Sequence, residues 1–155
     1  MEDYKTLIES AYREAKVADY MIYVTSKLVR DKKVLISVLM HLDKSFNNAI
    51  TAYLTRERMF RRVPPVPSDS QLLVELFFEK CAQNLKVEKE LKNVIIKINK
   101  AIKAYNGRGM LLERTNKYVF IAPNYELIDL RPNEVKEWIK KNIEFVNLLR
   151  EDLNR

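Results

Sequence analysis

The 155-residue chain is 47% hydrophobic and 32% charged with a net charge of +7, a globular balance whose apolar runs stop far short of the ~20 residues a membrane span needs. One histidine, one cysteine and two glycines exclude zinc sites built from three or four N and S ligands, and exclude glycine-rich phosphate loops. No cofactor or metal is expected, and residues 1–155 are long enough to form one helical-bundle domain around one core.

The start, Met1-Glu2-Asp3-Tyr4-Lys5, leads directly into an amphipathic pattern and lacks the basic-then-apolar layout of a signal peptide, so the expected address is the cytoplasm. From about Glu2 to Val29, Tyr4, Leu7, Ile8, Ala11, Ala15, Ala18, Ile22 and Val29 recur on one helical face. The alanines in its middle allow a neighbouring helix to approach closely. After a break at Arg30, Asp31 is the expected N-cap of a second helix reaching about Arg61. Its stripe is Leu35, Val38, Leu39, Leu42, Phe46, Ala49, Ile50, Tyr53 and Leu54.

The prolines of Val63-Pro64-Pro65-Val66-Pro67 end that helix, because they supply no amide donors and hold the chain extended. The segment reads as a stiff connector, or as a ligand for an aromatic-grooved domain through its PxxP spacing. Ser68 and Gln71 form a candidate capping box for a third helix through Leu72, Leu73, Leu76, Phe77 and Cys81, with a pause near Asn84. Cys81, among apolar residues, is expected as a packed thiol, with a reactive one as the alternative.

From Val87 to Tyr105 the pattern sharpens. Leu91, Val94, Ile95, Ile98, Ile102 and Tyr105 occupy one half of the helical wheel, and Lys89, Lys92, Lys97, Lys100 and Lys103 the other. Gly107 suits the left-handed position that follows a helix. Lys117–Ala122 and Tyr125–Leu130 are β-prone runs around Pro123-Asn124, which predicts a hairpin at about 117–130 with a longer loop than a primed two-residue turn. Pro132 then opens a last helix carrying Val135, Trp138, Ile139, Val146, Leu149 and Leu153. The fold class is therefore mainly α, a four- to five-helix bundle with a small hairpin before the C-terminal helix.

The charge is concentrated. Residues 86–108 hold seven basic residues against two glutamates, and residues 56–62 hold Arg56, Arg58, Arg61 and Arg62 against Glu57. A lysine row can follow a phosphate backbone with a salt-sensitive affinity, and arginines beside Phe60 can contact phosphate or an acidic partner. Both stretches also fit ordinary roles, as a solvated helix face and as cations opposing a helix dipole. His41 is the weak catalytic candidate: it lies off the apolar stripe in line with Asn48 and Thr55 and near Lys44, a strip that could hold an imidazole for acid–base work or simply face water. The position three before it is Val38, so the Glu-x-x-His element of di-iron bundles is absent.

With two long N-terminal helices and His41-Leu-Asp-Lys-Ser-Phe-Asn-Asn-Ala-Ile-Thr-Ala-Tyr-Leu54 on the second, residues 2–105 resemble divergent HEPN-type helical bundles, in particular small archaeal proteins of that appearance. The resemblance implies an all-α bundle, homodimers, association with nucleotidyltransferases or nucleic acid, and a metal-independent ribonuclease in members that carry an Arg, then four to six intervening residues, then the His. That motif is missing, since the nearest upstream arginine, Arg30, is separated from His41 by ten intervening residues and positions 34–36 are Val34, Leu35 and Ile36. The leading expectation is a non-catalytic interaction module associating with RNA or an RNA-linked protein partner, away from membranes. The alternatives are a ribonuclease using His41 and an assembly or antitoxin-like subunit with incidental charge.

Overall fold

A computed structural model describes residues 3–24, 32–114 and 117–155 of the chain. The order is α1 (Tyr4–Val24), α2 (Lys32–Met59), α3 (Ser70–Lys80), α4 (Glu90–Asn106), β1 (Met110–Arg114), β2 (Lys117–Ile121), β3 (Leu127–Leu130) and α5 (Pro132–Leu153). The mainly helical bundle and the hairpin before the last helix stand as the periodicities predict. The side chain of Ile22, together with Glu2, Val29, the break at Arg30 and the Asp31 cap, lies outside the described residues.

Helices α1 and α2 pack along their lengths because Ala11, Ala15 and Ala18 are fully buried and let the α2 stripe come close; every member of that stripe is buried. Helix α5 lies against both, burying Val135, Trp138, Ile139, Phe145, Val146, Leu149 and Leu153, while α3 and α4 close the other side of α2. Phe77 of α3 sits where these layers meet, with ring centroids 5.9 Å from Tyr53 of α2 and 5.6 Å from Phe145 of α5.

The sheet is a three-stranded antiparallel meander, β1-β2-β3. Strands β2 and β3 fall in the two β-prone runs, joined by a five-residue loop, 122–126. Strand β1 is an addition: Met-Leu-Leu-Glu-Arg has no strand signature and becomes extended because it pairs with β2 from Met110↔Ile121 to Arg114↔Lys117. Tyr118, Phe120, Ile128 and Leu130 turn into the core, which gives the ribbon the support it needs in water.

Several boundaries differ from the sequence reading for identifiable reasons. The N-cap of α3 is Asp69 rather than Ser68: its backbone is extended and its Oδ2 accepts from the Leu72 N–H at 3.0 Å, whereas Gln71 reaches Glu75. Leu72, expected in the buried stripe, is 55% exposed. The helix stops at Lys80, and α4 begins only at Glu90, because Lys86 adopts a left-handed φ of 59° that breaks the path between them. Tyr105 lies half out of the core, edge-on to Phe120 at 6.3 Å.

The glycine expectation fails in an informative way. Gly107 has φ −91°, and the left-handed position belongs to Arg108, φ 70°. Gly109 is instead required by close approach: a Cβ there would meet the carbonyl oxygens of Ala104 at 2.5 Å and Ile121 at 2.8 Å, where the end of α4 touches β2.

A polar cluster sits between α2, α3 and α4. Ser70 donates to Asn99 Oδ1 at 3.1 Å, and Asn99 Nδ2 donates to Asp43 Oδ1 at 3.2 Å. Burial pushes the Asp43 carboxyl above its usual range, against the opposing hydrogen bonds from Asn99 and Asn47 and the charge of Lys103. A raised folded-state value means the proton favours the fold: stability from this group is complete below the unfolded pKa and is lost as pH rises through the folded one. Asp43→Asn keeps an oxygen for Asn99 and is therefore expected to stabilise the protein by roughly 1 kcal/mol at neutral pH. Scanning calorimetry should show that gain vanish in acid, and an Asp43→Asn midpoint below wild type at neutral pH would contradict it.

Candidate nucleic-acid interface

The first candidate surface is the seam between α1 and α2. His41 Nδ1 lies 2.5 Å from Glu14 Oε2, and Lys44 Nζ approaches Glu14 Oε1 at 3.5 Å. Asn48 Nδ2 donates to Ser10 Oγ at 3.2 Å, and Thr55 further along is half-buried. The His41 strip is thus a set of interhelical hydrogen bonds, with the His41 side chain 32% exposed. A carboxylate facing Nδ1 can accept a hydrogen bond from a proton-bearing Nδ1 and so orients the ring, with Nε2 turned away from Glu14. Glu14, the partner that defines this arrangement, carries no signal in the sequence, because the pairing depends on the register of two helices.

The second surface is the outer face of α4. Lys89, Lys100 and Lys103 are exposed, while Lys92 and Lys97 are half-buried. The face is divided rather than bare. Lys89 and Lys92 line a cleft of about 760 Å³ with Lys86, Phe78, Glu75 and Glu79. Lys97 and Lys100 line another of about 580 Å³ beside Glu126 of the β2–β3 loop and Asp129 of β3. Lys97 lies 5.5 Å over the Trp138 ring, and Lys100 Nζ is 3.6 Å from Glu126.

The third surface is the end of α2, where the four arginines part company. Arg56 is drawn inward: Nη2 meets Asp152 Oδ2 at 2.7 Å, Nη1 donates to the Asp152 carbonyl at 3.2 Å, and the guanidinium lies 4.9 Å over the Tyr53 ring. Burial works against the Asp152 charge, but Arg56 and the Tyr53 hydroxyl outweigh it and hold the carboxyl below its ordinary range. The same burial, with Asp152 beside it, pushes the Tyr53 hydroxyl up. Cys81 is nearby, and burial raises its thiol to about 11, so it stays protonated and packed.

Arg58, Arg61 and Arg62 face solvent, and so do Met59 and Phe60 between them. Arg58 Nη1 donates to the Val63 carbonyl at 3.2 Å, and Arg62 Nη1 donates to buried Glu57 at 2.9 Å while its guanidinium lies 4.9 Å over the Phe60 ring. The chain turns at Arg61, φ 56°. Arg155 adds charge close to Asp152.

Among the described residues no three His, Cys, Asp or Glu side chains come close enough to hold a metal ion, and no helix is long and apolar enough to cross a membrane. No protein-family model and no curated protein matches the chain. In solved structures, a tri-AMPylated Shewanella oneidensis HEPN toxin in complex with MNT antitoxin contains a chain that is similar over 99% of this sequence and 98% of its own, at 15% identity and a TM-score of 0.61. The likeness is one of overall fold, shared between this helical bundle and a chain of that complex.

Proposed function

We propose that the chain is a divergent HEPN-type bundle serving as a non-catalytic interaction module, one that associates with RNA or an RNA-linked protein partner through its basic surfaces. The observation that carries this reading is the concentration of exposed cations: Arg58, Arg61 and Arg62 at the end of α2, and Lys89 at the start of α4 with Lys100 and Lys103 along it. Anionic chains are attracted to such surfaces with an affinity that falls as salt displaces them. Arg56 serves the site by holding the end of α2 against α5. The similar chain was solved within a toxin–antitoxin complex, which supports a protein partner; a nucleotidyltransferase-type protein and a second copy of the chain are the partners the resemblance implies.

The test begins with the ultraviolet absorbance ratio and the solution mass of the purified protein, where co-purifying nucleic acid and a dimer are expected. Lys89→Glu, Lys100→Glu and Lys103→Glu together should lower RNA affinity by more than about tenfold and flatten its salt dependence. Unchanged binding removes the α4 face from the reading, and no RNA binding by the wild-type protein leaves the assembly or antitoxin-like role.

The second reading, a metal-independent ribonuclease, is favoured by one observation: Glu14 orients His41 with Lys44 beside it, a geometry an acid–base imidazole uses. If it holds, RNA cleavage in the presence of chelator disappears in His41→Ala, and cleavage that survives acquits the residue.

A further inference from the structure

We propose that the turn at the end of α2, Arg58–Arg62, binds single-stranded RNA, with an unpaired base stacked on Phe60 and the phosphates held by the three arginines. This rests on the RNA-facing reading of the basic surfaces and assigns one of them as the site, with unpaired nucleotides as its ligand.

The sequence there is Arg-Met-Phe-Arg-Arg, and no acidic residue occurs from position 58 to position 67. Glu57, the nearest carboxylate, is buried and occupied by Arg56 and Arg62, so the field presented to solvent is cationic. Within that field Phe60 is 60% exposed and Met59 65%, although Val63 three residues later is buried. An aromatic ring left in water forgoes the ~2 kcal/mol its burial could contribute. A ring flanked by cations is the platform on which unpaired bases stack.

Two of the three cations are held in place. Arg62 is fixed at Glu57 and lies over the Phe60 ring, and Arg58 is fixed at the Val63 carbonyl. Groups already held by intramolecular bonds lose less freedom when a ligand arrives.

Arg61 is the most telling residue. The Arg62 N–H bonds the Glu57 carbonyl at 3.0 Å and the Arg61 N–H bonds the Arg58 carbonyl at 2.9 Å, which closes the helix with Arg61 in the left-handed position where glycine is strongly preferred. A residue with a Cβ costs about 1 kcal/mol there, and the attraction of a cation for the helix C-terminus returns only part of it. Lys86 and Arg108 stand in the same conformation after other helical segments. Only at Arg61 does the cation adjoin an exposed phenyl ring.

The choice of unpaired RNA follows from size and shape. Five residues at one helix end cannot span the grooves of a duplex, and a duplex buries the base faces that a phenyl ring would meet.

Fluorescence anisotropy with a labelled uridine dodecamer and a blunt RNA duplex of equal length tests the assignment. Wild type is expected to bind the dodecamer more tightly. Phe60→Ala should weaken dodecamer binding by about 5- to 100-fold with its salt dependence unchanged. Arg61→Gly should reduce the salt slope by about 0.7 while the thermal midpoint stays level or rises, so weakened binding cannot be ascribed to misfolding. Dodecamer binding that survives both substitutions but is lost on charge reversal at Lys89, Lys100 and Lys103 would overturn this inference and leave the broader reading standing. Tighter binding of the duplex, or capture only of an acidic peptide, would overturn it too, and no RNA binding at all would remove both.

Discussion

Phe77→Ala is expected to destabilise the protein by about 4 kcal/mol, the upper range for truncating a fully buried aromatic ring. Phe77 is inaccessible to solvent, and Tyr53, Phe78 and Phe145 surround it at centroid distances of 5.9, 5.3 and 5.6 Å. These rings come from α2, α3 and α5, and Phe145 in turn touches Phe46 at 5.5 Å. The cavity left by an alanine would be walled by elements that are themselves fixed by other contacts, so collapse can fill little of it. The thermal midpoint should fall by roughly 10 °C for a chain of this size. Leu72→Ala, on the same short helix but exposed, is the control and should change stability by less than about 0.5 kcal/mol. Equal losses from the two would contradict the placement of α3.

Arg56→Ala is expected to cost about 3 kcal/mol. Its guanidinium is 14% exposed and stands between Asp152 Oδ2 at 2.7 Å and Glu57 Oε1 at 3.6 Å, so removing it leaves two carboxylates close together with less water than they need. The cation over the Tyr53 ring is lost as well. The pH dependence has a definite sign. Asp152 is held below its ordinary range, so the stability it contributes is present above the unfolded carboxyl pKa and disappears as pH falls through the folded one. The gap between wild type and Arg56→Ala, read from denaturant titrations, should therefore be widest near neutrality and narrow in strong acid. A gap independent of pH would mean that packing, not charge, is what Arg56 provides. Arg62→Ala touches the same Glu57 from a 60% exposed position and should cost well under 1 kcal/mol.

The two arginines show how far sequence reading reached at the α2 end. Four arginines around one glutamate read as a cationic cluster, but only packing against α5 decides that Arg56 turns inward to Asp152, 96 residues away, while Arg58, Arg61 and Arg62 stay outside. The α4 face divides the same way. Its segregation of lysines from isoleucines is visible in the sequence, whereas the carboxylates that enter its clefts arrive from α3 and from the sheet. His41 stands off the apolar stripe by its spacing alone. Its carboxylate partner, Glu14, is set by the register between α1 and α2.

The sequence by itself determined the helices and most of their buried faces, Leu72 and Tyr105 apart, because a 3.6-residue period is a local property that any core-facing helix must show. It also determined where β2 and β3 form, since β-branched and aromatic residues favour a pleated surface. Tertiary structure decided what depends on distant neighbours. Strand β1 is extended because β2 offers it hydrogen bonds. Gly109 is a glycine because the Ile121 carbonyl stands where a Cβ would go. The left-handed turns fell to Arg61, Lys86, Arg108 and Tyr125, residues whose local preference is against them, because the chain must reverse there to bring the next element to the core. In a chain with two glycines, neither of them left-handed, those reversals were invisible to turn chemistry, and one of them sets an arginine beside the exposed Phe60.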